Sequence, residues 1–280
     1  MAKKTGTALV LRPFEGLPNE PDWVAMRELI PSATGTARTV AKYGQKDVMV
    51  CTILPGGFAA MNRPDGTVLL ALQGQPSTAD LSRDLAGTLL KVLDSEPGTA
   101  VRSEAIFDEA APRLQDVLDL SVPLNISVNA DYEYWVDATA TRDADMEASL
   151  QEAAEYAVPS QAVEGVDHAY WCQMTKPFVR WVRAEDEDVV VDAIARLHAR
   201  RQSALVLDGG KEARFLGMFR AAGLVVPVWE LPDGTTAEDV SAPMVAMGTA
   251  LDEAMGSTDA LNALERRARE GIRSRQVTLR

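Results

Sequence analysis

Few residues of this 280-residue chain combine the type and spacing that chemistry needs. His168 and Cys172 stand four apart with Asp167 adjacent, which could put an imidazole beside a thiolate on one strand face. Asp131, Glu133 and Asp137 share one face by the two-residue period of strands and could offer oxygen ligands to Mg²⁺. Leu207-Asp208-Gly209-Gly210-Lys211 sits between an expected strand and an expected helix, where free amides and the helix dipole could hold an anion at Gly209, Gly210 and Lys211. Each has a plainer reading that outweighs it. His168 edges a hydrophobic strand, the carboxylates are solvent-facing acids on a half-buried strand, and the glycines permit a tight turn. His198, late in a helix among arginines, reads as a solvated helix end, and the run Glu185-Asp186-Glu187-Asp188 suits a helix start.

The elements that must position these residues follow from turn signals and periodicity. A short helix is expected from Asp22, acting as cap, to Pro31. Strands at 47–54 and 67–72 are joined through Pro55-Gly56-Gly57 and Asn62-Arg63-Pro64-Asp65-Gly66, which reads as an antiparallel meander. Ser77 and Asp80 open a helix with Leu81, Leu85, Leu89, Val92 and Leu93 on one face, ended by Pro97-Gly98. A strand-rich segment spans 121–137, and a helix runs from Met146 to Tyr156.

The second half repeats the grammar. Strands are expected at 169–174 and 178–183, then a helix over 188–201 with Val190, Ile194 and Leu197 inward. A buried strand at 204–207 is followed by a helix carrying Phe215, Leu216 and Phe219, stopped by Gly223. The last strand is 224–231, and Pro227 marks it as a sheet edge. Two closing helices lie around 245–255 and 259–269, with an extended end beyond Gly271. The fold class is α+β: antiparallel strand-rich sheets packed on helices, as two halves of similar grammar, with a helical C-terminal region and a basic tail. The domain reading is an N-terminal half 1–140, a C-terminal half 141–270 with the closing helices, and a tail 271–280.

Composition bounds the function. With 46% hydrophobic residues the chain can fill a core, and ten Met with only 6% aromatics make the packing largely aliphatic. A net charge of −13 repels a phosphate backbone and disfavours non-specific nucleic-acid binding. The charge is split: six Arg against two Glu from Leu264 to Arg280 make that end +4 and the rest −17. Two cysteines suit a reducing compartment and cannot make a four-thiolate zinc site, and two histidines add little, so neither metal nor cofactor is expected. The short apolar stretch after Lys3 and Lys4 is too brief for a signal peptide, and no run is long enough to span a bilayer, so a cytoplasmic, membrane-free protein is expected.

Three stretches carry a resemblance: Arg12-Pro13-Phe14-Glu15-Gly16-Leu17-Pro18 through Asp22-Trp23 to Pro31, Phe219-Arg220-Ala221-Ala222-Gly223-Leu224-Val225-Val226-Pro227-Val228-Trp229, and Arg275-Gln276-Val277-Thr278-Leu279-Arg280. By these the chain resembles an uncharacterised actinobacterial family classed as a domain of unknown function. Some members of that family are loosely labelled as related to the secretion ATPase SecA or to topoisomerase, and some carry a cysteine-rich zinc motif of the SEC-C type. This chain has too few cysteines for that motif and no ATP-binding or DNA-cleaving signature, so neither label transfers and no catalytic residue is implied. The favoured reading is a non-enzymatic interaction or adaptor protein. Its tail, through Arg273, Arg275, Val277, Leu279 and Arg280, would dock on an acidic protein partner or on the protein's own acidic body. The alternative is an enzyme or binding protein for a small anionic ligand.

Overall fold

The computed structural model describes residues 8–74, 79–137, 139, 142–275 and 277–278, and they fall into two compact units, Met1–Ala157 and Val158–Arg280. Among the described residues there are seven α-helices and two mostly antiparallel sheets, an α+β fold.

In the first unit, α1 (Glu20–Glu28) leads into β1 (Ala33–Arg38), β2 (Asp47–Cys51), β3 (Ala60–Asn62), β4 (Val68–Ala71), α2 (Leu81–Leu93), β5 (Thr99–Val101), α3 (Leu114–Val117), β6 (Ile126–Val128) and α4 (Ala144–Tyr156). The sheet order is β5-β3-β4-β2-β1-β6. Asp22 is not the cap of α1: the helix starts two residues earlier, after Asn19 in a left-handed conformation. The expected meander is also corrected, because β2 and β4 pair in parallel while β3 forms the hairpin with β4. Turn residues signal a reversal without fixing which neighbour a strand meets. All four residues of β4 are buried, as suits a central strand. Asp80 caps α2 by accepting from the Ser82 amide, and Leu85, Leu89 and Val92 are buried as the periodicity demands. Ser77 lies outside the described residues.

The segment 121–137 is not one strand. Pairing ends at Val128 and residues 133–135 form a 3-10 turn, which carries Tyr132 and Trp135 into a cluster with Cys51, Leu54, Leu69 and Leu150. Leu150 and Met146 bind α4 to that cluster, so the compact division falls after Ala157 rather than after residue 140.

The second unit contains β7 (Ser160–Ala162), β8 (Ala169–Gln173), β9 (Pro177–Trp181), α5 (Glu187–Ala199), β10 (Leu205–Val206), β11 (Glu212–Ala221), β12 (Leu224–Glu230), α6 (Ala237–Met255), α7 (Ala263–Ser274) and β13 (Val277–Thr278). The strands order as β10-β11-β12-β9-β8-β7, with β13 added in parallel to β11. Val190, Ile194 and Leu197 of α5 and Val240, Met244 and Leu251 of α6 share one core with Trp171, Val179, Trp181, Phe215 and Trp229 of the sheet.

The expected helix over Phe215, Leu216 and Phe219 is the long strand β11. Ala222 and Gly223, with φ of 44° and 87°, form the two-residue turn that joins β11 to β12, so Gly223 ends no helix. Two positive φ values are what a type I′ hairpin turn needs. Pro227 is likewise not on an edge: β12 lies between β11 and β9. On that side β12 pairs with β9 from Val228 to Glu230 and meets Arg183, beyond the end of β9, at Val225, and the residue without an N–H falls in the interval. The predicted strand at 204–207 shrinks to two residues, and α7 runs past Gly271 to Ser274 before the chain extends.

All five tryptophans of the chain donate their indole N–H to a backbone carbonyl: Trp23 to Pro18, Trp135 to Ile53, Trp171 to Thr235, Trp181 to Asp167 and Trp229 to Ser203. Burying the ring while satisfying its donor turns each into a tie between segments.

Candidate functional site

Most of the residues with chemical potential are committed elsewhere. Both cysteines are free thiols and buried; burial pushes the Cys51 thiol far above its ordinary range, and pushes Cys172 up against the opposing pull of Arg180. Neither is a ready thiolate. His168 sits at φ 62° in the turn before β8, at the strand edge. Asp131 accepts from the Glu133 amide, Asp137 accepts from the Thr139 amide and hydroxyl, and Glu133 is paired with Arg142. Among the described residues no three His, Cys, Asp or Glu converge as metal ligands.

Gly209 and Gly210 occupy a 3-10 turn with φ of 75° and 76°, between two antiparallel strands. Because β11 follows and not a helix, no helix N-terminus stands behind Gly209, Gly210 and Lys211 to favour an anion. The glycines are explained by the turn itself.

The arrangement that sequence reasoning missed lies close by. A cleft of about 600 Å³ is lined by His198, Ala199, Arg201, Ser203, Ala204 and the stretch from Glu212 to Phe215. Its geometry begins at the end of α5. The Arg201 amide donates to the His198 carbonyl and the Gln202 amide to the Leu197 carbonyl, the two bonds of a Schellman stop. The left-handed position of that stop, where glycine is usual, holds Arg201 at φ 59°. A left-handed non-glycine costs on the order of 1–2 kcal/mol.

Beyond it, Trp229 fixes the Ser203 carbonyl at 2.7 Å, and the Ser203 hydroxyl meets His198 Nδ1 at 2.8 Å. Phe215 forms the floor, its ring 5.4 Å from Trp229 and 6.4 Å from His198. Arg214 reaches Glu230 at 3.3 Å from an exposed position. Among the described residues Arg201 has no ion-pair partner. Two guanidiniums, one imidazole and the Glu212 carboxylate therefore border a cavity of ligand size. The signal in the sequence was Arg200-Arg201-Gln202 where a helix ends without glycine.

A family model matches residues 13–280, across both units. The chain belongs to DUF5926, a family of unknown function. Comparison with curated proteins and with solved structures finds no match. The stretch shared with DUF5926 takes in the basic end, whose placement is specific. On α5, Asp188, Asp192 and Arg196 are spaced by four; on α7, Arg273, Arg269 and Glu265 are spaced by four in the opposite direction. They meet as Arg273 with Asp188, Arg269 with Asp192 at 3.4 Å and Arg196 with Glu265 at 3.7 Å. Four-residue spacing stacks side chains on one helix face, so the charges read as a ladder for an antiparallel pair. Reversal of sign at the last rung opposes any parallel pairing.

Val277 then pairs with Phe219 of β11, and Arg275 returns its Nε to the Gly271 carbonyl at 3.0 Å. Leu279 and Arg280 lie outside the described residues. Among the described residues no helix is long and apolar enough to cross a membrane.

Proposed function

We propose that this chain is a non-catalytic interaction protein of the cytoplasm that recognises its partner through an anionic group held in the cleft at the end of α5. The observation that carries the reading is Arg201, a cation held in a strained left-handed slot, beside a ligand-sized cavity and without an ion pair among the described residues. Strain is retained where something else depends on the residue. Simple complementarity to the helix dipole accounts for basic residues in the last turn of α5, but it does not require arginine at the glycine position.

A second reading, an enzyme acting on a small anion, draws on one contact: His198 Nδ1 and the Ser203 hydroxyl at 2.8 Å have base-to-hydroxyl geometry. Among the described residues no carboxylate is bonded to the other ring nitrogen, and Ser203 is buried, so the binding reading is preferred.

The test is a melting-temperature series with inorganic phosphate, succinate and a glutamate-containing peptide, for the wild type and Arg201→Gly. Selective binding to the native state should raise the wild-type Tm in a concentration-dependent way and leave the variant unmoved. Equal responses in both proteins, or none in either, would refute the assignment of the anion to Arg201.

A further inference from the structure

We infer that the occupant of this cleft is an extended acidic segment of a partner protein that adds as a strand to the outer edge of β11; the inference rests on the proposed anion-recognising role of Arg201. The edge is divided in three. β10 pairs with it only at Ala213 and Glu212, and β13 pairs with it only at Phe219 and Arg220. Among the described residues no strand pairs on that side between them, from Arg214 to Met218. Gly217 and Met218 are buried, so the part of that stretch that faces the cleft is a window from Arg214 to Leu216, roughly 10 Å at about 3.4 Å per residue, room for a short strand.

The window opens into the cleft because the pairing of β10 stops. Continued in register, Ala204 would stand opposite Arg214 and Ser203 opposite Phe215. Instead the chain is drawn back to α5 by the Schellman stop at Arg201 and by the bond from Trp229 to Ser203. Two segments that pair and then diverge make a fork, and Arg214, Phe215, Ser203 and Ala204 line its inside.

Two observations choose the occupant. The edge already accepts strands in both directions, β10 antiparallel and β13 parallel, so its backbone is suited to main-chain bonding. The charge of the lining is the second. Arg201 and Arg214 are offset by Glu212, and Arg214 is shared with Glu230, so the site matches no more than one carboxylate, at Arg201. A polyphosphate concentrates several negative charges on one group, more than this lining offsets, whereas a segment can place a single carboxylate at Arg201. The irregularity in the β11–β12 register between Phe215 and Gly217 lies in the same window, where a bulge re-aims the edge and limits indiscriminate pairing.

The experiment uses the full chain with an acetylated, amidated peptide of alternating Val and Glu, the same peptide N-methylated on alternate amides, its Val-Lys counterpart and inorganic phosphate. Affinity is measured by titration calorimetry and backbone protection by hydrogen exchange. The inference expects the Val-Glu peptide to slow exchange in 214–216. It expects N-methylation, and separately Arg201→Gly, to weaken binding at least tenfold, with phosphate competing weakly and the Val-Lys peptide not binding. Arg201→Gly should keep the wild-type circular dichroism spectrum, since glycine suits that position. Full affinity of the N-methylated peptide, or binding without protection at 214–216, would overturn strand addition while leaving the anion reading standing. Failure of both the Val-Glu peptide and phosphate to bind would remove the anion reading and this inference together. Equal binding of the Val-Lys peptide would overturn the acidic specificity and with it the inference.

Discussion

The cleft beside α4 and the cleft at the end of α5 are both lined by charge, and they differ in what the charge is doing. Around the first, of about 320 Å³, Glu133 and Arg142 face each other as a two-point pair. Each stabilises the charged form of the other, so the Glu133 carboxyl is held below its ordinary range and the Arg142 guanidinium above. Around the second, Arg201 has no such partner among the described residues, and its backbone is strained. The α5–α7 ladder repeats the first pattern on a larger scale. Both clefts are bordered by charge, but only at the second is a guanidinium, that of Arg201, without a partner among the described residues, and substitution should separate the two.

The sharpest break comes at the buried rung. Arg196 and Glu265 are both buried, Arg196 also donates to the Asp259 carbonyl, and Glu265 accepts from the Asn262 amide at the cap of α7. Glu265→Gln would leave Arg196 charged and buried with its partner gone, and a loss of about 3–5 kcal/mol is expected in chemical denaturation. Arg269→Ala and Arg273→Ala, which break more exposed rungs, should each cost about 1 kcal/mol or less. If all three cost the same, the ladder acts only as a screened charge field and the comparison loses its graded half.

Opposite behaviour is expected at the unmatched site. Arg201→Gly removes the side chain that strains the helix stop, so stability should hold or rise by up to about 1 kcal/mol while anion-dependent stabilisation disappears. A residue that costs stability and supports binding is the signature of a functional position. A clear fall in denaturation midpoint would show Arg201 to be structural.

How legible was this arrangement? The inward faces of α2 and α5 were readable because their apolar residues recur at helical period, and the β8–β9 hairpin because two apolar runs flank a tight turn. β11 was misread for a physical reason. In Glu212-Ala-Arg-Phe-Leu-Gly-Met-Phe-Arg-Ala221 the register break between Phe215 and Gly217 disturbs the two-residue alternation and leaves apolar residues at helix-like spacing. Reading that segment as a helix puts a helix N-terminus after Gly209-Gly210 and a helix stop at Gly223, where the structure has a strand start and a hairpin turn. The parallel pairing of β2 with β4 was illegible because partner choice is a long-range property. The basic end, by contrast, shows in the sequence as a charge split. Its match to Asp188 and Asp192 required only that two four-residue periods be laid antiparallel. Arg201 shows in the sequence only indirectly, as an arginine where a helix ends without glycine, because the left-handed conformation of a residue other than glycine or asparagine has no signature of its own.

The smallest expected effect tests the matched cleft by titration. With the Arg142 hydrogen bond as the leading cause, the Glu133 carboxyl titrates below the ordinary glutamate value of about 4.3. A depressed folded-state pKa means that the contact contributes above the unfolded value and is lost as pH falls through the folded one. Both partners are largely solvent-exposed, so Glu133→Gln should move the melting temperature little at pH 7, and even that difference should fade in acid. The decisive reading is the carboxyl carbon shift of Glu133 followed by NMR from pH 7 to pH 2. Its midpoint should lie below that of an unpaired glutamate and return to the ordinary value in Arg142→Ala. Arg201→Gly should leave the curve unchanged, because its cleft shares no lining residue with this one. If Arg142→Ala leaves the midpoint depressed, the charges around the first cleft are not matched in solution, and the contrast with Arg201 must rest on backbone strain alone.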